Sequence, residues 1–231
     1  MSESAVANHP NSGVAPRGGR VVTYEPAGNE EFAIRLLDVT IALCAIIFAL
    51  PLLVMIALSV FAQDRGPAVF AHERVGRSGR TFRCFKFRSM VTDADKRLQD
   101  LLERDPQARA EWARDHKLRR DPRITPVGDF LRKSSLDELP QLFNVLRGEM
   151  SIVGPRPIVA AEIVRYGRHF PRYCAVKPGI TGLWQVSGRN DVSYRRRVAM
   201  DCIYARRKSL AWDIKLLFLT VPAVLFASGS Y

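Results

Sequence analysis

The chain is poor in the residues that most hydrolytic and metal-dependent enzymes are built from. It has four histidines, His9, His72, His116 and His169, and none stands in an H-x-E or H-E-x-x-H spacing. No G-x-S-x-G elbow and no G-x-x-x-x-G-K-[ST] loop occurs. Zinc hydrolase, serine hydrolase and P-loop nucleotidase chemistry therefore lack their usual hardware. The four cysteines, Cys44, Cys84, Cys174 and Cys202, are widely spaced with no C-x-x-C pair. They form neither a disulfide framework nor a zinc site, and are expected to be reduced, mostly buried thiols. Acidic residues are also scarce: 23 Asp and Glu face 35 Lys and Arg, a formal net charge of +12. That excess calls for an anionic partner, whether nucleic acid, lipid headgroup or phosphorylated substrate. No basic-aromatic strand pattern or reader motif for nucleic acid is present, so nucleic acid is not expected as the partner.

The longest charge-free stretch runs from Val39 to Ala62. As a helix it measures roughly 36 Å, enough for a hydrocarbon core of about 30 Å. It is too long for the apolar region of a signal peptide and follows a polar tail, which argues against cleavage. Pro51 lies near its middle and cannot donate to the Ile47 carbonyl, so a kink is expected there. A tilted span and a broken helix that returns to its own side both fit. All Lys and Arg except Arg17, Arg20 and Arg35 follow this segment. The positive-inside tendency then places the C-terminal part in the cytoplasm in either topology.

Punctuation divides the rest. Residues 1–30 read as a disordered tail, 31–63 as the membrane segment and 64–231 as a cytosolic domain. Between Gly66 and Met90, two short runs flank a turn at Gly76 to Gly79, a hairpin pattern. Thr92 to Leu118 reads as charged helix broken near Pro106, with Thr92 or Asp93 as its cap. A further helix is expected near Ser135, and Gly154-Pro155-Arg156-Pro157 forces a stiff irregular segment. Trp212 to Phe226 is apolar, holds Pro222 and is short for a crossing helix, which suits a helix lying on the bilayer. Packing into the domain core is the alternative. The expected fold class is α+β, mainly helical.

One stretch concentrates chemistry: Ser135-Leu136-Asp137-Glu138-Leu139-Pro140-Gln141. Ser135 and Glu138 have capping-box spacing, which alone would explain the glutamate. The surroundings are strongly basic, with Lys86, Arg88, Arg119, Arg120, Arg123, Arg132, Lys133, Arg147 and Arg156. Carboxylates among cations at a helix start are expected to stay ionised. An ionised Asp can bind Mg²⁺ or attack phosphorus, and the cations can hold a diphosphate.

Several ordered runs carry a family resemblance. They are Phe85-Lys86-Phe87-Arg88-Ser89-Met90, Leu131 to Leu142, Asn144 to Pro157, and Lys177 to Asn190, with the region around Asp201. The sequence resembles the bacterial sugar transferase family, the monotopic polyprenyl-phosphate phosphoglycosyl transferases. Within it, the chain is similar to the small undecaprenyl-phosphate galactose phosphotransferases of exopolysaccharide synthesis. The resemblance runs from about Arg35 to the C-terminus. It implies a re-entrant, kinked membrane helix, a small cytosolic catalytic domain and a C-terminal interfacial helix.

The resemblance also implies a reaction. Asp137 would attack the β-phosphate of a UDP-sugar and release UMP. Undecaprenyl phosphate would then take the phosphosugar, starting an exopolysaccharide repeat. Glu138 would assist in proton transfer or orientation, and Mg²⁺, with Mn²⁺ as the alternative, would be bound with help from Asp137. Lys86, Arg88, Arg132, Arg156, Arg189 and Asp201 would contact substrate or phosphate. An N-acetylhexosamine donor and a non-catalytic scaffold are the rival expectations, and oligomerisation is left open. One departure stands out. The family's helix break usually carries Ser-Pro, but here it is Leu50-Pro51, without a hydroxyl for the freed carbonyl.

Overall fold

The structure, a computed structural model, describes residues 28–115, 118, 120–188 and 192–225. The expected disordered tail lies outside these residues up to position 27, as do Arg119 and Arg189. Most of the described chain is helical, with four short strands in two pairs.

Helix α1 runs unbroken from Gly28 to Asp64, with Pro51 inside it. It is the one described helix long and apolar enough to cross a membrane, and only 17% of its most apolar stretch is buried. Phe48 is 90% exposed, and Ile47, Val54, Met55 and Leu58 also face outward. Yet both ends of α1 are fastened to the rest of the protein. Near the start, Arg35 donates to the carbonyls of Val145 (2.6 Å) and Leu146 (2.8 Å). Asp38 accepts from the Ser151 hydroxyl (2.9 Å) and the Ile152 amide (2.8 Å). At the far end, Asp64 accepts from Arg88 (2.9 Å) and from the Thr92 amide (3.1 Å). Apolar packing repeats the pattern. Ala42 belongs to the main core with Val145, Met150 and Leu216, whereas Leu53, Ile56 and Val60 pack with Phe87 and Leu131.

The expected hairpin is present. β1 (Val69–Val75) pairs antiparallel with β2 (Thr81–Phe87), with Arg74 opposite Phe82 and Phe70 opposite Lys86. The turn needs positive φ at Ser78 and Gly79. The charged segment forms α2 (Ala94–Arg104) and α3 (Pro106–Asp115), broken at Pro106 as proline's missing N–H dictates. Asp93 holds the cap position of α2 but makes no cap bond; its carboxylate instead takes Arg97 at 3.0 and 3.1 Å.

Helix α4 (Pro126–Lys133) is capped by Thr125, whose hydroxyl accepts from the Gly128 amide at 2.9 Å, with Pro126 at its first position. The expected capping box at Ser135 does not form. Ser135 takes a left-handed conformation (φ 58°) that turns the chain into a 3₁₀ turn, Leu136–Glu138. The following helix α5 begins only at Gln141 and ends at Arg147. Ser135 is thus a reversal point with no side-chain cap bond.

Beyond α5, β3 (Ser151–Val153) pairs in parallel with β4 (Gly179–Thr181). Between them lie α6 (Ile163–Tyr166) and α7 (Phe170–Cys174). After β4 come α8 (Leu183–Val186), α9 (Tyr194–Arg207) and α10 (Leu210–Leu225). The last helix packs into the core along one face and leaves apolar side chains outward on the other. Leu216 is fully buried and Asp213 nearly so, whereas Phe218 is 74% and Val221 57% exposed. The cysteines are free; Cys84 and Cys202 are buried, while Cys44 is exposed on α1.

Candidate active site

Lys86 organises the site. It projects from β2, and its ammonium lies 2.6 Å from Glu138 Oε1 and 3.3 Å from Asp137 Oδ2. The left-handed turn at Ser135 is what brings the two carboxylates back over the hairpin, since a continuous helix from Ser135 would carry them past it. Burial alone pulls the Lys86 ammonium down, but Glu138 and Asp137 outweigh it, so its pKa rises above the usual lysine value. Burial pushes the Asp137 carboxyl up; Lys86 opposes that rise and the neighbouring Glu138 charge adds to it. Desolvation is thus the largest effect on Asp137, and the surrounding cations offset it only in part. Asp137 still keeps 12% of its side-chain surface open.

Lys86 and Glu138 sit on the wall of a cleft of about 480 Å³, and Asp137 stands behind Lys86, outside its lining. Its lining is mixed, with Lys86, Arg132, Arg156 and Glu138 charged and Leu142, Ile180, Trp184 and Ala223 apolar. Arg132 is steadied by its Nε donating to the Ser89 hydroxyl at 2.9 Å. Arg156 is the one exposed residue in the otherwise buried run from Ser151 to Ile158. Its backbone is held on both sides. The Gly154 amide donates to Thr181 O (2.8 Å), and the Gly179 amide donates to Pro155 O (2.8 Å). Gly154 has to be glycine here, because a Cβ would stand 2.4 Å from Lys177 O and 2.6 Å from the Gly179 nitrogen.

Two arginines that sequence reasoning did not single out stand at the site, Arg74 in the cleft lining and Arg197 behind the lining residue Trp184. Arg74, on β1, lines the cleft and donates to Pro157 O at 3.4 Å. Arg197, on α9, stacks over the Trp184 ring at 4.4 Å, and its Nε is buried without a partner. Burial first, and then the Arg156 charge, pull both guanidinium pKa values down. Cations that disfavour one another in a water-poor cleft suit a site that receives an anion. Strand alternation from Lys86 through Cys84 could have indicated Arg74, but only with the hairpin register known.

Other expected site residues lie elsewhere. Arg88 turns away from the cleft to the end of α1, where it pairs with Asp64 and donates to Val60 O at 3.3 Å. Asp201 is 3% exposed within α9 and accepts from the Tyr166 hydroxyl at 2.6 Å. Burial raises its pKa to about 7, with Tyr166 and Arg197 opposing. It does not line the cleft. Arg189 is outside the described residues.

Among the described residues no group of three or more His, Cys, Asp or Glu could hold a metal ion. The adjacent carboxylates of Asp137 and Glu138 nonetheless fit Mg²⁺. That ion commonly takes one or two carboxylates and completes its shell with water and substrate phosphate.

The chain is 53% identical over 203 residues to the UDP-galactose-lipid carrier transferase of Erwinia amylovora, covering 88% of this chain and 42% of that protein. It is 52% identical over 203 residues to the undecaprenyl-phosphate galactose phosphotransferase of Salmonella typhimurium, with the same coverage. It is 49% identical over 197 residues to the exopolysaccharide production protein ExoY of Sinorhizobium fredii, covering 85% of this chain and 87% of ExoY. The chain thus spans less than half the length of the first two relatives and most of the third. The profile described as bacterial sugar transferase matches residues 29–227, and the chain belongs to that family.

Proposed function

We propose that the chain transfers a hexose-1-phosphate from a UDP-sugar to undecaprenyl phosphate at the cytoplasmic face of a bacterial inner membrane, as the first step of exopolysaccharide synthesis. The observation that carries this reading is Lys86 bridging Asp137 and Glu138 at a cleft lined by both basic and apolar side chains. Galactose is the first donor to test, since relatives are named for it.

Asp137 is the nucleophile. A carboxylate oxygen forms a bond to the β-phosphorus while the bond from that phosphorus to the bridging oxygen breaks, and UMP leaves with the oxygen. A phosphate oxygen of the polyprenyl phosphate then attacks the same phosphorus. The Asp137 carboxylate departs, leaving a lipid diphosphate-sugar. Lys86 fixes Asp137 and offsets its charge, and Glu138 shares that lysine, which sets the orientation of the pair. Arg74, Arg132 and Arg156 bind the diphosphate, and the stiffness of the Arg156 backbone lowers the entropy of aiming it. Mg²⁺ held by Asp137, with Glu138 and the substrate phosphates beside it, would neutralise phosphate charge.

The attachment of α1 supports a re-entrant membrane segment. A straight helix of this length would extend about 55 Å. Arg35 and Asp38 at one end, and Val60 and Asp64 at the other, all contact the same domain. A full span would carry one of those ends across the bilayer. The outward apolar residues of α1 and α10 would meet lipid.

The test is UMP release by nanodisc-held protein given undecaprenyl phosphate, Mg²⁺ and a panel of UDP-sugars. We expect release with one or few sugars, lost with EDTA and with Asp137→Asn. Folded protein that is silent across the panel, or full activity in Asp137→Asn, would refute the assignment.

A further inference from the structure

A second concavity lies on the other side of α9 from the catalytic cleft. The segment carrying α6 and α7 forms one wall and α9 the other, enclosing about 710 Å³. Helical period separates the two sites. Arg195, Val198, Cys202 and Arg206 face the groove, whereas Arg197 points away from it, over the Trp184 ring.

The groove is lined by Arg165, Arg168, His169, Arg172, Arg195 and Arg206, and by no carboxylate. None of these arginines forms a salt bridge among the described residues. The nearby acids are engaged elsewhere: Glu162 accepts from the Val159 amide at 3.0 Å, and Asp201 from Tyr166 at 2.6 Å. Like charges gathered in one concavity repel each other unless an anion joins them. The cations are arginines rather than lysines, and the planar guanidinium fork matches phosphate oxygens two at a time. One fork is already oriented, as Arg165 stacks on the Tyr194 ring at 4.9 Å. The floor is partly apolar, with Val198, Ala199 and Ile203. Behind it, Tyr166 and Tyr173 pack edge to face at 5.1 Å, a firm backing for both walls.

Location narrows the ligand. The walls pack on one another, on α8 and on the hairpin turn at Arg77–Gly79. None of the residues lining the groove belongs to α1, the helix that would enter lipid, or to α10. We propose that it is a binding site for a soluble anion carrying two or more phosphate groups, separate from the catalytic cleft. Free polyphosphate and a nucleoside triphosphate share that chemistry.

The full chain in nanodiscs of zwitterionic lipid would be titrated calorimetrically with inorganic tripolyphosphate and with ATP. Three variants are compared: Arg168→Glu/Arg206→Glu, the milder Arg168→Gln/Arg206→Gln, and the cleft variant Arg156→Ala. We expect saturable binding to wild type and to Arg156→Ala, weakened tenfold or more by the Glu pair and less by the Gln pair. Both groove variants should keep wild-type UMP release and melting temperature, since Arg168 and Arg206 are exposed. Tighter binding of ATP would name the nucleotide as the source, and tighter tripolyphosphate the free anion. Three results would each overturn the proposal: no saturable binding by wild type, affinity unchanged in the Glu pair, or loss of binding in Arg156→Ala alone. Binding seen only with phosphatidylglycerol vesicles would also overturn it, pointing to a membrane surface.

Discussion

The Lys86 ammonium lies closer to Glu138 Oε1, at 2.6 Å, than to Asp137 Oδ2, at 3.3 Å, so the more exposed carboxylate holds the lysine that the buried one depends on. Removing Lys86 takes away the main opposition to the burial of Asp137 and leaves only Arg132 against it, which raises its pKa further. We expect Lys86→Ala to lower UMP release by at least about 100-fold, the scale of losing a fixed electrostatic group. The acid limb of its pH–rate profile should move to higher pH. An unchanged limb would show that Lys86 does not hold Asp137 ionised.

Arg156 and Gly154 should separate activity from stability. Arg156 is exposed on a fixed backbone, so Arg156→Ala should stay within about 0.5 kcal/mol of wild-type stability while losing most activity. Gly154→Ala forces a Cβ against Lys177 O and the Gly179 nitrogen. We expect it to cost about 1–3 kcal/mol, the scale of an overpacked core, in chemical denaturation.

Asp201 makes stability depend on pH. Its pKa is raised to about 7 in the folded protein, so between the ordinary carboxylate value and 7 the folded state keeps a proton that the unfolded state has released. Its contribution is therefore fully present at low pH and is lost as pH rises through that window. The total is on the order of a few kcal/mol. Asp201→Asn imitates the protonated side chain and should flatten this decline. Melting temperatures of both proteins from pH 4 to 8 would show parallel slopes if Asp201 is not the source.

Arg88 is expected to secure α1 rather than to bind phosphate. Arg88→Ala should lower the melting temperature by roughly a few degrees. It should have little further effect in an Asp64→Ala background, because the partner is already gone. Equal losses in both backgrounds would refute the pairing.

Local signals make much of this architecture legible in the amino-acid sequence. The hairpin can be read from its alternation and turn, and the α2–α3 break from Pro106. Asp137, Glu138, Lys86, Arg132 and Arg156 stand in motif runs, and the fold brings all five together. What escapes such reading depends on long-range pairing. Arg74 reaches the cleft only through the β1–β2 register, and Arg197 through the docking of α9 beside Trp184. Arg88 is next but one to Lys86 on the chain, yet it meets Asp64, a partner no spacing could indicate. Ser135 has ideal capping-box spacing; its left-handed φ follows from the chain having to reverse after α4, a tertiary demand.

The cleft that begins at Lys86 and Arg156 also includes Thr220 and Ala223 of α10, whose other face exposes Phe218 and Val221. The same helix thus contributes to the charged cleft on one side and to an outward apolar surface on the other. If the proposed reaction takes place there, the two substrates never have to mix in one phase: the sugar nucleotide arrives by diffusion in three dimensions and the lipid carrier in two. Turnover would then follow the density of carrier per area of membrane rather than its amount per volume. Diluting undecaprenyl phosphate with inert lipid should slow the enzyme even when every bulk concentration is held constant.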